Sequence, residues 1–384
     1  MTRHVAPGPP PEGDRLRVAL DATPLLGRPT GVGAFCRGAL GALAARPGLE
    51  VSAFAVSWRR RHRLAEVLPP GVAWHQRAMP ARPLHQAWRH TSGPPLEWFV
   101  GAADVVHGTN FVVPPARAAR VVTVHDLTSV LYPELCQPAS LAFPELVRRA
   151  LAEGALVHTP SAWVAGEVVE LLGADPGQVR SVHSGIPALP DPARGAAPDL
   201  PPGTDRFVLA VGTAEPRKDL PGLVAAFDRL AAERPGLALV LAGPSGWGEE
   251  ALDAAVARTG FAARVVRTGW VDDATLARLL AGAAVLAYPS RYEGFGFPPL
   301  QAMAVGVPVV ATTAGSLPEV LGDAARLVPA GDPDALAGAL AEVLDDEGRR
   351  AELVSRGLAR AAGFTWEATA AGLDALYRDA RSRR

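Results

Sequence analysis

The segment Tyr288–Met303, reading YPSRYEGFGFPPLQAM, joins an acidic residue, a glycine-aromatic-glycine turn and a proline-started helix within sixteen residues. Such a segment can hold a sugar and a phosphate together. Ala283–Ala287 before it is an apolar run of strand length, and Pro298 and Pro299 suit only the first turn of a helix, where a missing N–H costs little. Glu293 is therefore expected in a strand-to-helix loop. There its carboxylate would accept hydrogen bonds from sugar hydroxyls, while backbone N–H groups of Gly294 to Phe297 and the helix N-terminus would face an anion.

A second cluster lies in VLAVGTAEPRKDL, where Arg217 and Lys218 directly follow a strand and precede a helix starting near Asp219. Two cations there suit a diphosphate, because charge-assisted bonds stabilise charge growing on a leaving group; losing one such donor costs roughly 3–4 kcal/mol. A solvated basic pair at a helix start is the plain alternative, and the shared half-domain with Glu293 favours the ligand. In the first half, Gly31-Val32-Gly33 lies between an early strand and a helix. The next glycine is Gly38, so the run departs from the G-x-G-x-x-G dinucleotide fingerprint, and a tight turn fits it as well as phosphate contact does. Among nine histidines, His125 ends the run VVTVHDLTSV beside Asp126, where a side chain would project from a strand end. His107 and His183 also end apolar runs, so position alone leaves three candidates. Trp58–Arg63 (WRRRHR) fits either a solvated basic face or weak contact with anionic lipid headgroups.

The elements that must position these groups follow an alternation of short Val/Leu runs with Ala- and Leu-rich amphipathic segments, the pattern of parallel sheets with crossover helices. In the first half, strands are expected at Leu16–Leu20, Val51–Val56, Asp104–His107, Val121–His125 and Leu156–Thr159. Helical spacing marks Gly33–Ala45, Pro138–Gly154 and Ala162–Gly173. The stretch Ile186–Asp205 is too rich in Pro, Gly and Asp for either element and divides the chain. A second alternation begins at Phe207–Val211 and continues through Ala238–Leu241, Val265–Arg267, Val285–Ala287, Pro308–Ala311 and Arg326–Val328. The expected organisation is a disordered leader 1–14, a Rossmann-like domain 15–187, a linker 188–204, a second Rossmann-like domain 205–365, and a C-terminal helix 366–384 that extends or leaves the second domain, or packs back on the first. Two such domains would face each other across a cleft at their strand C-termini, where open α/β sheets bind ligands.

Composition narrows the rest. A length of 384 residues exceeds one ordinary core, and a formal net charge of -1 gives no whole-protein attraction to nucleic acid. Cys36 and Cys136 lack metal-ligand or disulfide spacing, no Asp-x-Asp pair occurs in a matching loop, and no metal is implied. The N-terminus lacks the apolar region of a signal peptide, and no apolar stretch is long enough to span a bilayer, so the chain reads as cytoplasmic.

With Arg217-Lys218, the Glu293 loop and His125 in this order, the chain resembles the retaining glycosyltransferases of family 4, with two-domain GT-B architecture. The resemblance spans nearly the whole chain and is strongest from Phe207 to Ala341, where VGTAEPRKDL, LAGPSGW, GWVDD, AYPSRYEGFGFPPLQAMAVGVPVVAT and GSLPEVLGDAARLVPAGD occur in family order. It implies that Arg217 and Lys218 bind a nucleotide diphosphate, that Gly269–Val271 lie beside the base, and that Glu293, Phe295 and Gly296 hold the donor sugar. His125 would face that sugar, and Gly31–Gly33 would border the phosphates or the acceptor. One departure stands out: the family places a second glutamate eight residues after the first, to bind the ribose hydroxyls, and Gln301 occupies that position. Gln accepts and donates hydrogen bonds without the charge that strengthens them, so weaker donor affinity is expected. The implied reaction is hexose transfer from a GDP- or UDP-linked donor to a glycan or lipid-linked acceptor, without a cofactor. A sugar-nucleotide epimerase, a phosphorylase or a catalytically silent binding subunit on the same frame are the alternatives.

Overall fold

The computed structural model describes residues 15–27, 30–196 and 199–384, apart from the side chains of His85 and Arg89. The leader expected at 1–14 lies outside the described residues, as do two positions of the expected linker. The chain divides into two compact units: the first comprises the described residues to Val130, Gln137–Gly185 and Thr365–Arg384, the second Leu131–Cys136 and Ile186–Phe364.

The first unit carries strands β1 (Leu16–Asp21), β2 (Leu49–Phe54), β3 (Ala73–Trp74), β4 (Val105–Gly108), β5 (Ala119–Thr123), β6 (Leu156–Thr159) and β7 (Val179–Ser181). They form one seven-stranded sheet in the order β3-β2-β1-β4-β5-β6-β7, with every pairing parallel. The second unit carries β8 (Arg206–Val211), β9 (Leu237–Ala242), β10 (Val265–Gly269), β11 (Val285–Tyr288), β12 (Val309–Thr312) and β13 (Arg326–Val328). Its six strands run in the order β10-β9-β8-β11-β12-β13, again all parallel. This is the α/β architecture of two parallel sheets expected from the alternating pattern.

Chemistry explains the strand choices. Every residue of β9, LALVLA, is buried, as in a strand covered by helices on both faces, where alternation disappears. The two faces of the second sheet bury separate apolar cores, one around Leu223, Phe227 and Leu340, the other around Leu209, Leu300 and Val320. Each fully buried Leu contributes about 1.5–3 kcal/mol. Helix starts are fixed by side-chain caps at Thr30, Ser161, Asp272, Asp332, Asp346 and Thr365.

Several local expectations change. The sheet pairing of β5 ends at Thr123, so His125 lies in the segment after the strand. The helix expected from Gly33 starts at Gly31 (Gly31–Ala44), so both glycines lie in its first turn, and the Gly33 N–H donates to the Thr30 hydroxyl at 3.3 Å. WRRRHR ends in a short 3-10 turn at Arg61–Arg63, and one helical turn follows at Leu64–Val67. Residues Ala81–His90 form a helix whose Leu84 and Trp88 share a buried apolar cluster with Phe54 of β2 and Val56 after it.

The first unit also contains a buried polar chain. His158 Nε2 bonds the Val182 carbonyl at 3.1 Å and its Nδ1 lies 3.0 Å from the Thr123 hydroxyl; His107 Nε2 lies 2.7 Å from that hydroxyl and His107 Nδ1 2.7 Å from the Tyr377 hydroxyl. A carbonyl only accepts, so His158 Nε2 carries the proton and its Nδ1 accepts from Thr123. Thr123 oxygen then accepts from His107 Nε2, and His107 Nδ1 accepts from Tyr377. Burial pushes His158 down to about 3 and His107 well below the usual range, so both rings are neutral, as this assignment requires.

Candidate functional site

The second unit brings Arg217, Lys218 and Glu293 into direct contact. β8 and β11 are adjacent, and the segments leaving their C-terminal ends carry the cations and the carboxylate respectively. Lys218 Nζ is 2.6 Å from Glu293 Oε1, and Arg217 Nη1 is 2.7 Å from Glu293 Oε2. Lys218 also donates to the Tyr288 hydroxyl at 2.9 Å. Arg217 Nη2 is 2.6 Å from Glu215 Oε1, and its Nη1 donates to the Tyr292 carbonyl at 2.9 Å. Two cations and two carboxylates thus form one chain of contacts, Glu215–Arg217–Glu293–Lys218.

Backbone geometry fixes the loop that carries Glu293. The Arg291 N–H donates to the Arg217 carbonyl at 2.8 Å, tying the two loops together. The Glu293 carbonyl accepts from Ser316 N–H at 2.9 Å and from Ser316 Oγ at 3.1 Å. Gly315 allows this approach: its φ is +58°, and a Cβ there would lie 2.3 Å from Glu293 oxygen. Gly296, at φ +101°, turns the chain into the helix Phe297–Ala304, whose opening prolines follow at once, as expected.

The electrostatics follow from burial and charge. Glu293 is 6% exposed; burial alone would raise its carboxyl, but the Arg217 and Lys218 charges outweigh it and bring it down to about 2. Burial lowers the Lys218 ammonium, against the pull of Glu293. Burial and the Glu293 charge push the Tyr288 phenol well up, so it stays protonated. At neutral pH the carboxylate is held ionised at both oxygens.

The other expected site residues fall in varied settings. Gly269 ends β10 with φ +68°, where no atom would meet an added Cβ within 4 Å. Val271 packs partly buried on the second sheet's core. The Phe295 ring is buried in that core, 5.3 Å from Phe297 and 5.8 Å from Phe364. Gln301 is 7% exposed and its amide has no hydrogen-bond partner among the described residues. In the first unit, His125 Nε2 donates to the Thr109 carbonyl at 2.8 Å, and Phe35 and Phe111 meet its ring edgewise. Of the three histidines that end apolar runs, His107 is committed to the buried chain, whereas His125 is partly exposed.

Sequence reading missed Glu215, Tyr288 and Ser316 as parts of this site. The signal was present, since each lies inside a motif quoted for its neighbours, but only the fold shows which neighbours they touch. Glu215 also borders a cavity of about 250 Å³, lined with Leu135, Pro216, Leu220, Leu252 and Arg291. Among the described residues no cluster of three or more His, Cys, Asp or Glu could hold a metal ion, and no helix is long and apolar enough to cross a membrane.

A family model described as glycosyl transferases group 1 matches residues 197–360. The chain is 33% identical over 270 residues to the O-antigen chain mannosyltransferase B of Escherichia coli, covering 68% of this chain and 71% of that one. Among solved structures, a sucrose-phosphate synthase from Thermosynechococcus elongatus superposes with a TM-score of 0.74 at 23% identity, covering 96% of this chain and 100% of that one. Anabaena HepE, solved with UDP and glucose, gives 0.71 at 17% identity, covering 95% and 100%. At these identities the structural likeness speaks for the fold alone, that of the GT-B enzymes.

Proposed function

The chain belongs to the group 1 glycosyl transferases, and from that premise we propose that it is a family 4 enzyme moving a hexose from a GDP- or UDP-linked donor to an acceptor hydroxyl, with retention at the anomeric carbon. The acceptor in this reading is a glycan or lipid-linked glycan, and the product enters polysaccharide or glycoconjugate synthesis. The observation that carries it is the contact of Lys218 with Glu293 at the C-terminal ends of adjacent strands, where parallel sheets bind ligands. A mannosyltransferase relative supports a hexosyl donor.

Lys218, with Arg217 beside it, supplies positive charge to the diphosphate as the bond from the anomeric carbon to its oxygen breaks. Glu293 orients the sugar. Its two oxygens are each held by a cation, which suits a positioning carboxylate better than a nucleophile, so the acceptor attacks the face that the diphosphate leaves. The acceptor proton departs with the released diphosphate. Gly269 and Val271 lie beside the base, Gln301 meets the ribose, and Gly296 and the Phe295 main chain border the sugar. The partnerless, nearly buried amide of Gln301 supports its assignment. Neither a metal nor a further cofactor enters the scheme.

The proposed setting is the cytoplasmic face of a membrane, with weak contact to anionic lipid through the basic segment. Trp58 and Trp98 are 60% and 61% exposed; Arg61 bonds the Trp58 carbonyl and, at 2.8 Å, that of Gln76, whose neighbour Arg77 bonds the Trp98 carbonyl, so exposed indoles and guanidinium groups share one region of the first unit. Pelleting with anionic liposomes at low salt should fall in Arg60→Ala/Arg61→Ala, and lipid-independent behaviour of the wild type would remove the contact.

Thermal-shift screening with GDP, UDP, ADP and TDP, followed by nucleotide-release assays with matching sugars, tests the function. Lys218→Ala should reduce turnover roughly 100- to 1000-fold and acceptor binding far less. Unchanged turnover would remove the diphosphate assignment, donor conversion without an acceptor would mark an epimerase, and binding without release a silent subunit.

A further inference from the structure

The donor reading uses Arg217, Lys218 and Glu293 but gives no task to Glu215. Yet Glu215 is as well seated as they are: its side chain is 13% exposed against 16% for Arg217, and the pair meets at 2.6 Å. The guanidinium lies between two carboxylates, Nη2 on Glu215 Oε1 and Nη1 on Glu293 Oε2, with the Tyr292 carbonyl sharing Nη1 at 2.9 Å. A planar fork held at both terminal nitrogens has its orientation fixed. The cluster of Glu215, Arg217, Glu293 and Lys218 sums to no net charge.

We propose that Glu215 is a positioning residue for the donor site: it turns Arg217 toward Glu293 and cancels the charge that Arg217 would otherwise present to the diphosphate. The inference rests on the donor reading above and refines the part Arg217 plays in it. Arg217 acts chiefly by holding the Glu293 carboxylate in place, and Lys218 is the cation that meets phosphate directly. The neutral cluster keeps ground-state affinity for a diphosphate modest, while a firmly placed Glu293 serves the reacting sugar.

Two effects of opposite sign follow when the charge of Glu215 is removed at constant shape. Glu215→Gln keeps an oxygen for Arg217 and fits the same space, but leaves the cluster with one positive charge in excess. Nucleoside diphosphate should then bind about tenfold more tightly, and kcat should fall about tenfold because Glu293 is held less firmly. Glu215→Asp, which keeps the charge, should bind the diphosphate as the wild type does.

The experiment measures UDP and GDP binding by titration calorimetry, and kcat and KM with the matching sugar nucleotide, for the wild type, Glu215→Gln and Glu215→Asp. Thermal unfolding of each variant checks that the fold is intact. Tighter diphosphate binding together with lower kcat in Glu215→Gln alone is the expected result. A Glu215→Gln enzyme with wild-type binding and kcat, or with weaker binding, overturns the inference while leaving the donor reading intact. A wild type that binds neither nucleotide and turns over no donor overturns the donor reading itself.

Discussion

The molecule holds two buried polar networks, one in each unit, and they are built on opposite rules. In the first unit Tyr377, His107, Thr123 and His158 pass neutral hydrogen bonds in one direction to the Val182 carbonyl. In the second, Glu215, Arg217, Glu293 and Lys218 are all charged. The neutral chain satisfies every ring nitrogen and ties the C-terminal helix Trp366–Ser382 to the first sheet, so it serves the fold. The charged cluster sits in loops after strand ends. Desolvating four charges there stabilises a fold poorly compared with an apolar core, which favours the ligand site proposed above.

Removing the central charge of the ionic cluster should have the largest effect. Glu293→Ala leaves two poorly solvated cations facing each other; it should lower turnover at least 100-fold and stability by about 3–5 kcal/mol. Steady-state assays and urea unfolding measure both. A variant with normal turnover would break the contrast at once, since the cluster would then be structural like its counterpart.

Acid should strike the neutral chain next. The folded values of His107 and His158 are depressed, His158 to about 3, so the stabilisation is complete above the unfolded value of about 6.5 and is lost as pH falls below it. Each ring should cost about 1.4 kcal/mol per pH unit in that window. Glu293, also depressed, loses its share only as pH falls from the ordinary carboxylate range toward about 2. Urea unfolding at pH 7, 6 and 5 measures the slope; a flat profile would mean that the histidines are not buried neutral.

A smaller effect separates the networks by function. Tyr377→Phe removes the proton that His107 Nδ1 accepts and should cost about 1–3 kcal/mol while turnover at 25 °C stays within twofold. Reduced turnover in a stably folded Tyr377→Phe enzyme would show that the neutral chain also reaches the reaction. Smallest of all, Gln301→Glu should lower the donor KM severalfold by restoring charge to the bonds from a ribose diol. An unchanged or higher KM would count against the ribose assignment.

What could be read in advance follows the same division. Strands such as LALVLA and the start of the helix at Phe297 were legible because they depend on local pattern: a wholly apolar run, and prolines where missing N–H groups cost nothing. Glu293, Arg217 and Lys218 were legible as types at a spacing. Their mutual contact was not, because it arises from β8 (Arg206–Val211) and β11 (Val285–Tyr288) lying side by side although residues 212–284, with two other strands, come between them in the chain. Glu215 carried no signal of its own, and its part is visible only in the fold, where Arg217 bridges two carboxylates. The histidine chain left no local trace at all, since its members come from three strands and the last helix. Gly31 misled in the other direction: it read as a turn before the helix, and the Thr30 cap places it in the helix's first turn.

The central claim is that the ionic cluster of the second unit receives the diphosphate of a sugar nucleotide. A crystal structure with UDP or GDP bound tests it most directly. The account predicts phosphate oxygens within hydrogen-bond distance of Lys218 Nζ, with Glu293 still held by Arg217. A nucleotide bound elsewhere, with Lys218 and Glu293 paired as before and untouched by it, would contradict it.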